Sequence, residues 1–312
     1  MLPGVRSKWL TTLAFFICLT NQSNLHASEG GTSNYLPGFQ DVMTGILPPP
    51  GTYLKQYFTY YAGNVSRMVA EGRIQANAKL RTPLSLSALS HVTKTKVLGS
   101  NYAFAAVIPV LKARLSATIE SPPPVRNFDK SMIGFGDIVL APIVLGWHNG
   151  RSHKLAQFVV YVPSGNYNVE RLVNSGLNRW AIEFDYWYTF LDPKTGVEID
   201  LAPGYTIPFR NPDTDYTSGQ ELHVDYAALK RFPNKLGAGL TGYALWQTTP
   251  DSGPGARLGG FKGRTFGIGP LITYDAQAGN TTITLIGKFI TELDTQHRFE
   301  GNSGWLELAL TL

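Results

Sequence analysis

The stretch "RWAIEFDYWYTFLDPKTGVEIDLAPGYTIPF" (residues 179–209) holds two runs of alternating apolar and polar side chains joined by Asp192-Pro193-Lys194-Thr195. In the first run Ile182, Phe184, Tyr186, Tyr188 and Phe190 share one side, and Glu183 and Asp185 lie on the other. In the second, Val197, Ile199, Leu201 and Tyr205 oppose Glu198 and Asp200. The next run, "QELHVDYAALKRF" (220–232), sets Leu222, Val224 and Tyr226 against Glu221, His223 and Asp225. A side-chain period of two makes each run a strand with one apolar and one ionisable face. In a meander the three ionisable faces form one continuous patch. Whether that patch faces bulk water or the inside of a closed cylinder decides the fold.

The same punctuation extends over the chain from Gly51. Segments rich in Tyr, Phe, Val, Thr and Ile are separated by Gly, Pro, Asn and Asp, which are strand and turn signals. There are about twelve such segments, from 52–62 to 304–312, and no helical periodicity of helix length intervenes. Their connections alternate in length. Long gaps such as 63–82, 163–178 and 248–262 alternate with short ones such as "HNGRSH", "DPKT" and "PN". A soluble sandwich also shows two-faced strands. Here the strands exceed the five or six residues usual in soluble sheets, and aromatics stand near several strand ends as interfacial girdles do. These features predict an all-β fold. Its form is a transmembrane antiparallel β-barrel of about 12 strands, with short periplasmic turns and longer outer loops. Interior glycines, as in "GAGLTG" and "FGIGPL", suit a sheet that bends and closes.

Charged residues make up 16% and aromatics 12%, a composition unlike the roughly 25% charge of typical soluble domains. The net charge of +5 has no basic cluster behind it, which excludes a nucleic-acid partner. Residues 1–27 read as a signal peptide. Arg6 and Lys8 precede the apolar run Trp9–Leu19, and Leu25-His26-Ala27 offers a small residue for cleavage. The single cysteine, Cys18, falls within it, so no disulfide framework is expected in the exported chain. Residues 28–50, rich in Gly, Pro and polar side chains and ending in Pro48-Pro49-Pro50, leave two readings open: a periplasmic tail, or a plug folded into the lumen. Residues 51–312 form the barrel.

The strongest polar constellation is Glu183, Asp185, Glu198, Asp200, Glu221, His223 and Asp225, read as candidate lumen lining. One histidine among scattered carboxylates has no diagnostic metal spacing, and no G-x-S-x-G motif supplies a nucleophile. Neither a catalytic residue, a metal nor a cofactor is therefore assigned. Asp213 and Asp215 read as turn residues rather than a calcium loop. Tyr167, Trp180 and the Pro-rich stretch 121–124 are candidates for capturing an apolar ligand at the outer face.

The stretches "EGGTSNYLPGFQDVMTGILPPPGTYLKQYFTYY" (29–61), "GFGDIVLAPIVLGWHNG" (134–150), "VPSGNYNVERLVNSGLNRW" (162–180) and "NPDTDYTSGQELHVDYA" (211–227) resemble the meta-pathway phenol-degradation family, the SphA-like outer-membrane proteins. The resemblance covers nearly all of the exported chain. It implies a Gram-negative outer-membrane barrel, with outer-membrane lipid and the barrel assembly machinery as partners. It also implies a role in uptake of a small hydrophobic or aromatic solute beside catabolic enzymes. The chain ends at Leu312 rather than in the aromatic residue common at barrel termini. The expected function is a channel for passive uptake of hydrophobic or aromatic compounds or amphiphiles. The rival is a barrel hydrolase using His223 and its neighbouring carboxylates.

Overall fold

A computed structural model describes residues 32–70, 74–119, 126–257, 259–278 and 281–311. The signal-peptide reading of 1–27 and the Pro-rich stretch 121–124 lie outside the described residues. Thirteen strand segments follow in order: β1 (Gly51–Ala70), β2 (Ile74–Val97), β3 (Ser100–Ile119), β4 (Arg126–Phe135), β5 (Ile138–Asn149), β6 (Ser152–Val162), β7 (Ala181–Asp192), β8 (Val197–Pro208), β9 (Glu221–Arg231), β10 (Leu236–Gln247), β11 (Arg264–Ala278), β12 (Thr281–Gln296) and β13 (Glu300–Thr311). Each pairs antiparallel with its neighbours, and β1 pairs with β13 from Tyr53↔Thr311 to Asn64↔Glu300, closing the ring. β4 and β5 both pair with β3 and act as one strand broken at Gly136-Asp137. The result is a closed 12-strand antiparallel barrel.

Closure is what permits this sheet in a bilayer, because the ring through β1–β3 and β5–β13 has no free edge, and β4, paired only with β3, extends its outer side. The apolar faces point outward. Phe184, Leu240, Ile272, Phe289 and Leu306 are all about half exposed, while their chain neighbours Asp185, Thr241, Thr273, Lys288 and Glu307 are buried. Exposed aromatics gather at the two rims. Trp180, Phe209, Trp246 and Phe266 stand at one, and Phe232 and Tyr274 at the other. That is the girdle pattern of membrane barrels. The short turns lie at the rim carrying the β1 start and the β13 end. They use left-handed residues, with Leu98 and Gly99, Gly150, Gly196 and Lys235 all at positive φ, as tight hairpins require. By the rule for membrane barrels this rim is periplasmic.

Two departures from the sequence expectation concern the outer side. The gap 63–82 is largely strand: β1 and β2 stay paired to Ala70↔Ile74, with one register shift between Val65 and Met68. The gap after β3 is shortened in the same way, and 291–303 is mostly the ends of β12 and β13. A strand of 20 residues reaches about 66 Å at roughly 3.3 Å per residue, well beyond the ~25 Å apolar band. The outer halves of β1–β3 therefore stand in water, where lipid imposes no alternation. They carry exposed ion pairs such as Arg114–Asp129 instead. The second departure is the break at Gly136-Asp137. There Asp137 accepts Gly165 N (2.9 Å) and Leu177 N (2.7 Å) and ties the long loop 163–180 to the wall.

Replacing lipid-facing Leu240, near the middle of β10, by Arg is expected to lower unfolding stability in lipid vesicles by about 2–4 kcal/mol. Denaturant titration of the reconstituted barrel measures this. An unchanged midpoint would place that face in water.

Candidate functional site

The barrel interior has two unlike halves, and residues 32–50 run between them. The seven residues expected to line the lumen all lie on the inward faces of β7, β8 and β9, and all are buried. Glu198, Asp200, Glu221 and Asp225 bond a peptide rather than open water, and His223 stacks on Tyr35 of that peptide. Asp225 Oδ2 accepts the Tyr35 hydroxyl at 2.6 Å and Gln40 N at 2.9 Å. Glu198 Oε1 accepts Met43 N at 2.9 Å, and its other oxygen meets Arg231. Asp200 Oδ1 accepts Thr44 N at 3.2 Å and the Thr189 hydroxyl at 2.5 Å. Glu221 Oε1 accepts Ser33 Oγ at 2.6 Å and Arg298 Nη1 at 3.0 Å. The backbone of 32–50 forms no strand or helix, so its N–H groups need partners, and the carboxylates supply them.

The firmest anchor is ionic. Lys288 Nζ lies 2.7 Å from both Asp41 Oδ2 and Glu307 Oε1, and all three side chains are buried. The ammonium also rests 4.8 Å from the Trp305 ring centre, within cation–π range. Burial pushes the Asp41 carboxyl up, but Lys288 outweighs it and holds the group below its usual range. Burial, with Asp225 beside it, pushes the Tyr35 hydroxyl well above its ordinary value, so it stays a donor. At Gly45 the segment presses on the wall backbone: a Cβ there would sit 2.6 Å from Thr189 N and 2.7 Å from His153 O. Only glycine fits so close an approach.

The other half is apolar. On β2, β3, β5 and β6 the inward residues include Leu84, Leu86, Val107, Leu111, Val139 and Val159. They enclose a cavity of about 870 Å³ together with Leu36, Phe39 and Leu47 of the inserted segment. Tyr167, Leu172 and Val173 from loop 163–180 also line it. β3 carries apolar side chains on its outer face as well, with Phe104, Ile108 and Val110 exposed. Strands apolar on both faces are thus set between lipid and the cavity. The volume falls in the range of small-molecule sites.

Of the remaining candidates, Tyr167 lines the cavity and its hydroxyl accepts Asn211 Nδ2 at 3.1 Å. Trp180 is half exposed at the outer rim. Asp213 N bonds Asn211 Oδ1, and Asp215 pairs with Arg210 at positive φ, so this stretch is a turn. Residues that the sequence did not single out as a site are Asp41, Lys288 and Glu307, together with Glu292, which accepts both Tyr61 and Tyr243 hydroxyls. A lone lysine within the apolar run "TTITLIGKFI" was the available signal. Its partner Asp41 lies 247 positions away.

The family model described as "Putative MetA-pathway of phenol degradation" matches residues 66–308. No curated protein matches the chain by sequence. Among solved structures, an outer membrane channel from Pseudomonas putida F1 is similar with a TM-score of 0.65 at 14% identity, covering 86% of this chain and 97% of its own. The translocator domain of the autotransporter NalP from Neisseria meningitidis is more distant, with a TM-score of 0.45 at 8% identity, covering 85% and 90%. The first likeness concerns the fold.

Changing Lys288 to Ala leaves Asp41 and Glu307 buried and facing each other. Loss of one partner of a buried ionic group is expected to lower stability by roughly 3–5 kcal/mol. Adding Asp41→Asn should recover part of that loss in denaturant titrations.

Proposed function

The chain belongs to the MetA-pathway family of phenol degradation, and on that premise we propose that it is an outer-membrane channel for passive entry of small hydrophobic or aromatic compounds or amphiphiles. The supporting observation is the division of the interior. An apolar cavity of about 870 Å³ lies beneath an outer loop, and the ionisable wall beside it is covered by residues 32–50. An apolar solute leaving the outer surface finds a chamber in which its transfer from water is favourable. A hydrated ion meets an interior where Asp225, Glu198 and Asp200 already accept peptide N–H groups and Glu221, Glu198 and Glu307 already pair with cations. In this reading residues 32–50 are the plug, and passage to the periplasm requires them to shift. No nucleotide-binding loop is present in the sequence, so the motion is thermal and the flux follows the gradient.

The hydrolase reading has less support. His223 is 1% exposed, and the Tyr35 ring lies flat on it with centroids 3.5 Å apart. A substrate bond has no approach to that imidazole while the segment is in place.

Two measurements test the proposal. Leu84→Asp places a charge on the cavity wall and should weaken binding of a fluorescent naphthylamine probe by at least about tenfold, since an isolated charge is strongly disfavoured among apolar groups. Val42 of the segment and Ile286 of β12 belong to one buried cluster. A Val42→Cys, Ile286→Cys pair, once oxidised, should slow uptake of aromatic solutes into proteoliposomes, and reduction should restore it. Equal flux of every aromatic and amphiphilic solute with and without the protein would refute the proposal.

A further inference from the structure

We propose that the cleft between β7 and β9, over Gly204 of β8, binds one divalent transition-metal ion through Glu183, Asp185 and His223. The register puts Asp185 opposite Gly204 and Gly204 opposite His223, in one row across three strands. Strands two apart are separated by nearly 10 Å, roughly twice the 4.8 Å spacing, and a side chain on the middle strand normally fills that interval. Here it is bare. A Cβ on Gly204 would lie 2.1 Å from Asp185 Oδ1 and 2.3 Å from His223 Cε1. Glycine thus lets the two flanking side chains converge, and Glu183 joins them from one turn of the pleat away. One donor atom from each of the three lies within 4.8 Å of the others. His223 Nε2 and Glu183 Oε2 are 3.4 Å apart.

The bonding of these groups points to a missing ligand. All three are at least nine-tenths buried. His223 Nδ1 and Asp185 Oδ1 have no hydrogen-bond partner, and His223 Nε2 has only the 3.4 Å contact with Glu183 Oε2, which is uncommon for buried polar atoms. Hydrogen bonds from outside the cleft hold the two carboxylates in place. Asp185 Oδ2 accepts Gln157 Nε2 at 2.7 Å. Glu183 Oε2 accepts the Tyr161 hydroxyl at 2.9 Å and Thr206 Oγ1 at 2.5 Å. Tyr35 fixes the imidazole plane by stacking at 10°. Outer contacts that orient ligands in this way characterise metal centres. One imidazole with two carboxylates suits Zn²⁺, Co²⁺, Mn²⁺ or Fe²⁺ rather than Ca²⁺, which takes oxygen ligands in greater number. The ion neutralises two buried carboxylates and takes up the imidazole lone pair. It also steadies the ring on which Tyr35 of the inserted segment rests. Spacing in the sequence hides the site, because the three residues come together only through the strand register.

The test uses the full-length barrel purified in detergent, stripped with a chelator and dialysed against Co²⁺, Zn²⁺ or Mn²⁺ alone. The expected result is retention of one equivalent of Co²⁺ or Zn²⁺, with visible ligand-field bands for Co²⁺. His223→Gln, and separately Gly204→Ala, should weaken retention by about 100-fold or more, at least the upper limit seen for second-shell changes. Heat-modifiable gel mobility establishes that each variant is folded. The exposed pair His148 and His153, with Nδ1 atoms 3.0 Å apart, serves as the control, and replacing both by Ala should leave retention unchanged. Failure of the folded parent barrel to retain any of the three metals overturns the proposal. Retention that is lost with His148 and His153 but survives His223→Gln overturns it as well.

Discussion

A backbone N–H or C=O in hydrocarbon finds no water, so every such group must be bonded within the protein. Everything else in this molecule follows from how that demand is met. Pairing β1 with β13 closes the ring, and a ring of two-faced strands then divides space into lipid outside and an enclosed interior. The outer face has one permitted chemistry. The interior has a choice, and this chain makes it twice. Around β7–β9 the interior is ionisable, and around β2, β3, β5 and β6 it is apolar. Carboxylates on an inner wall do not by themselves make an aqueous pore. Here they are the acceptors that hold a stretch of irregular peptide within the barrel.

That arrangement explains why so many charges are tolerated out of water. Desolvating a carboxylate is expensive unless bonds replace the lost hydration. Asp225, Glu198 and Asp200 each accept at least one backbone N–H from residues 32–50. Lys288 offsets two acidic groups at once. Polar satisfaction and closure of the interior are thus the same interaction seen from two sides. The apolar half needs few such partners, so it can remain open as a cavity.

The strand count and closure were legible in the sequence because lipid enforces alternation wherever a strand crosses it. Ile182 to Phe190 against Glu183 and Asp185 is as clear a pattern as a sheet provides. Above the membrane that enforcement ends. The extensions of β1 and β2 through 63–82 therefore looked like a loop, although their backbones pair on both sides of a register shift. The apolar half was hidden for the opposite reason. In "NYAFAAVIPVLKARL" both faces are greasy, and alternation has nothing to report. Pairings across the interior depend on register and on distant segments. Lys288 falls on the polar face of its strand, and nothing near it in sequence names Asp41 as its counter-ion.

The inserted segment also sets an order of events. Ser33 bonds a residue 188 positions on, Tyr35 one 190 on, and Asp41 one 247 on. The part of the chain that is made first thus completes its contacts last. Such distant closure is slow and rewards nothing until the intervening strands are in place. Until the ring forms, this stretch lacks those partners, and its glycines, prolines and short polar side chains expose little apolar surface in the meantime.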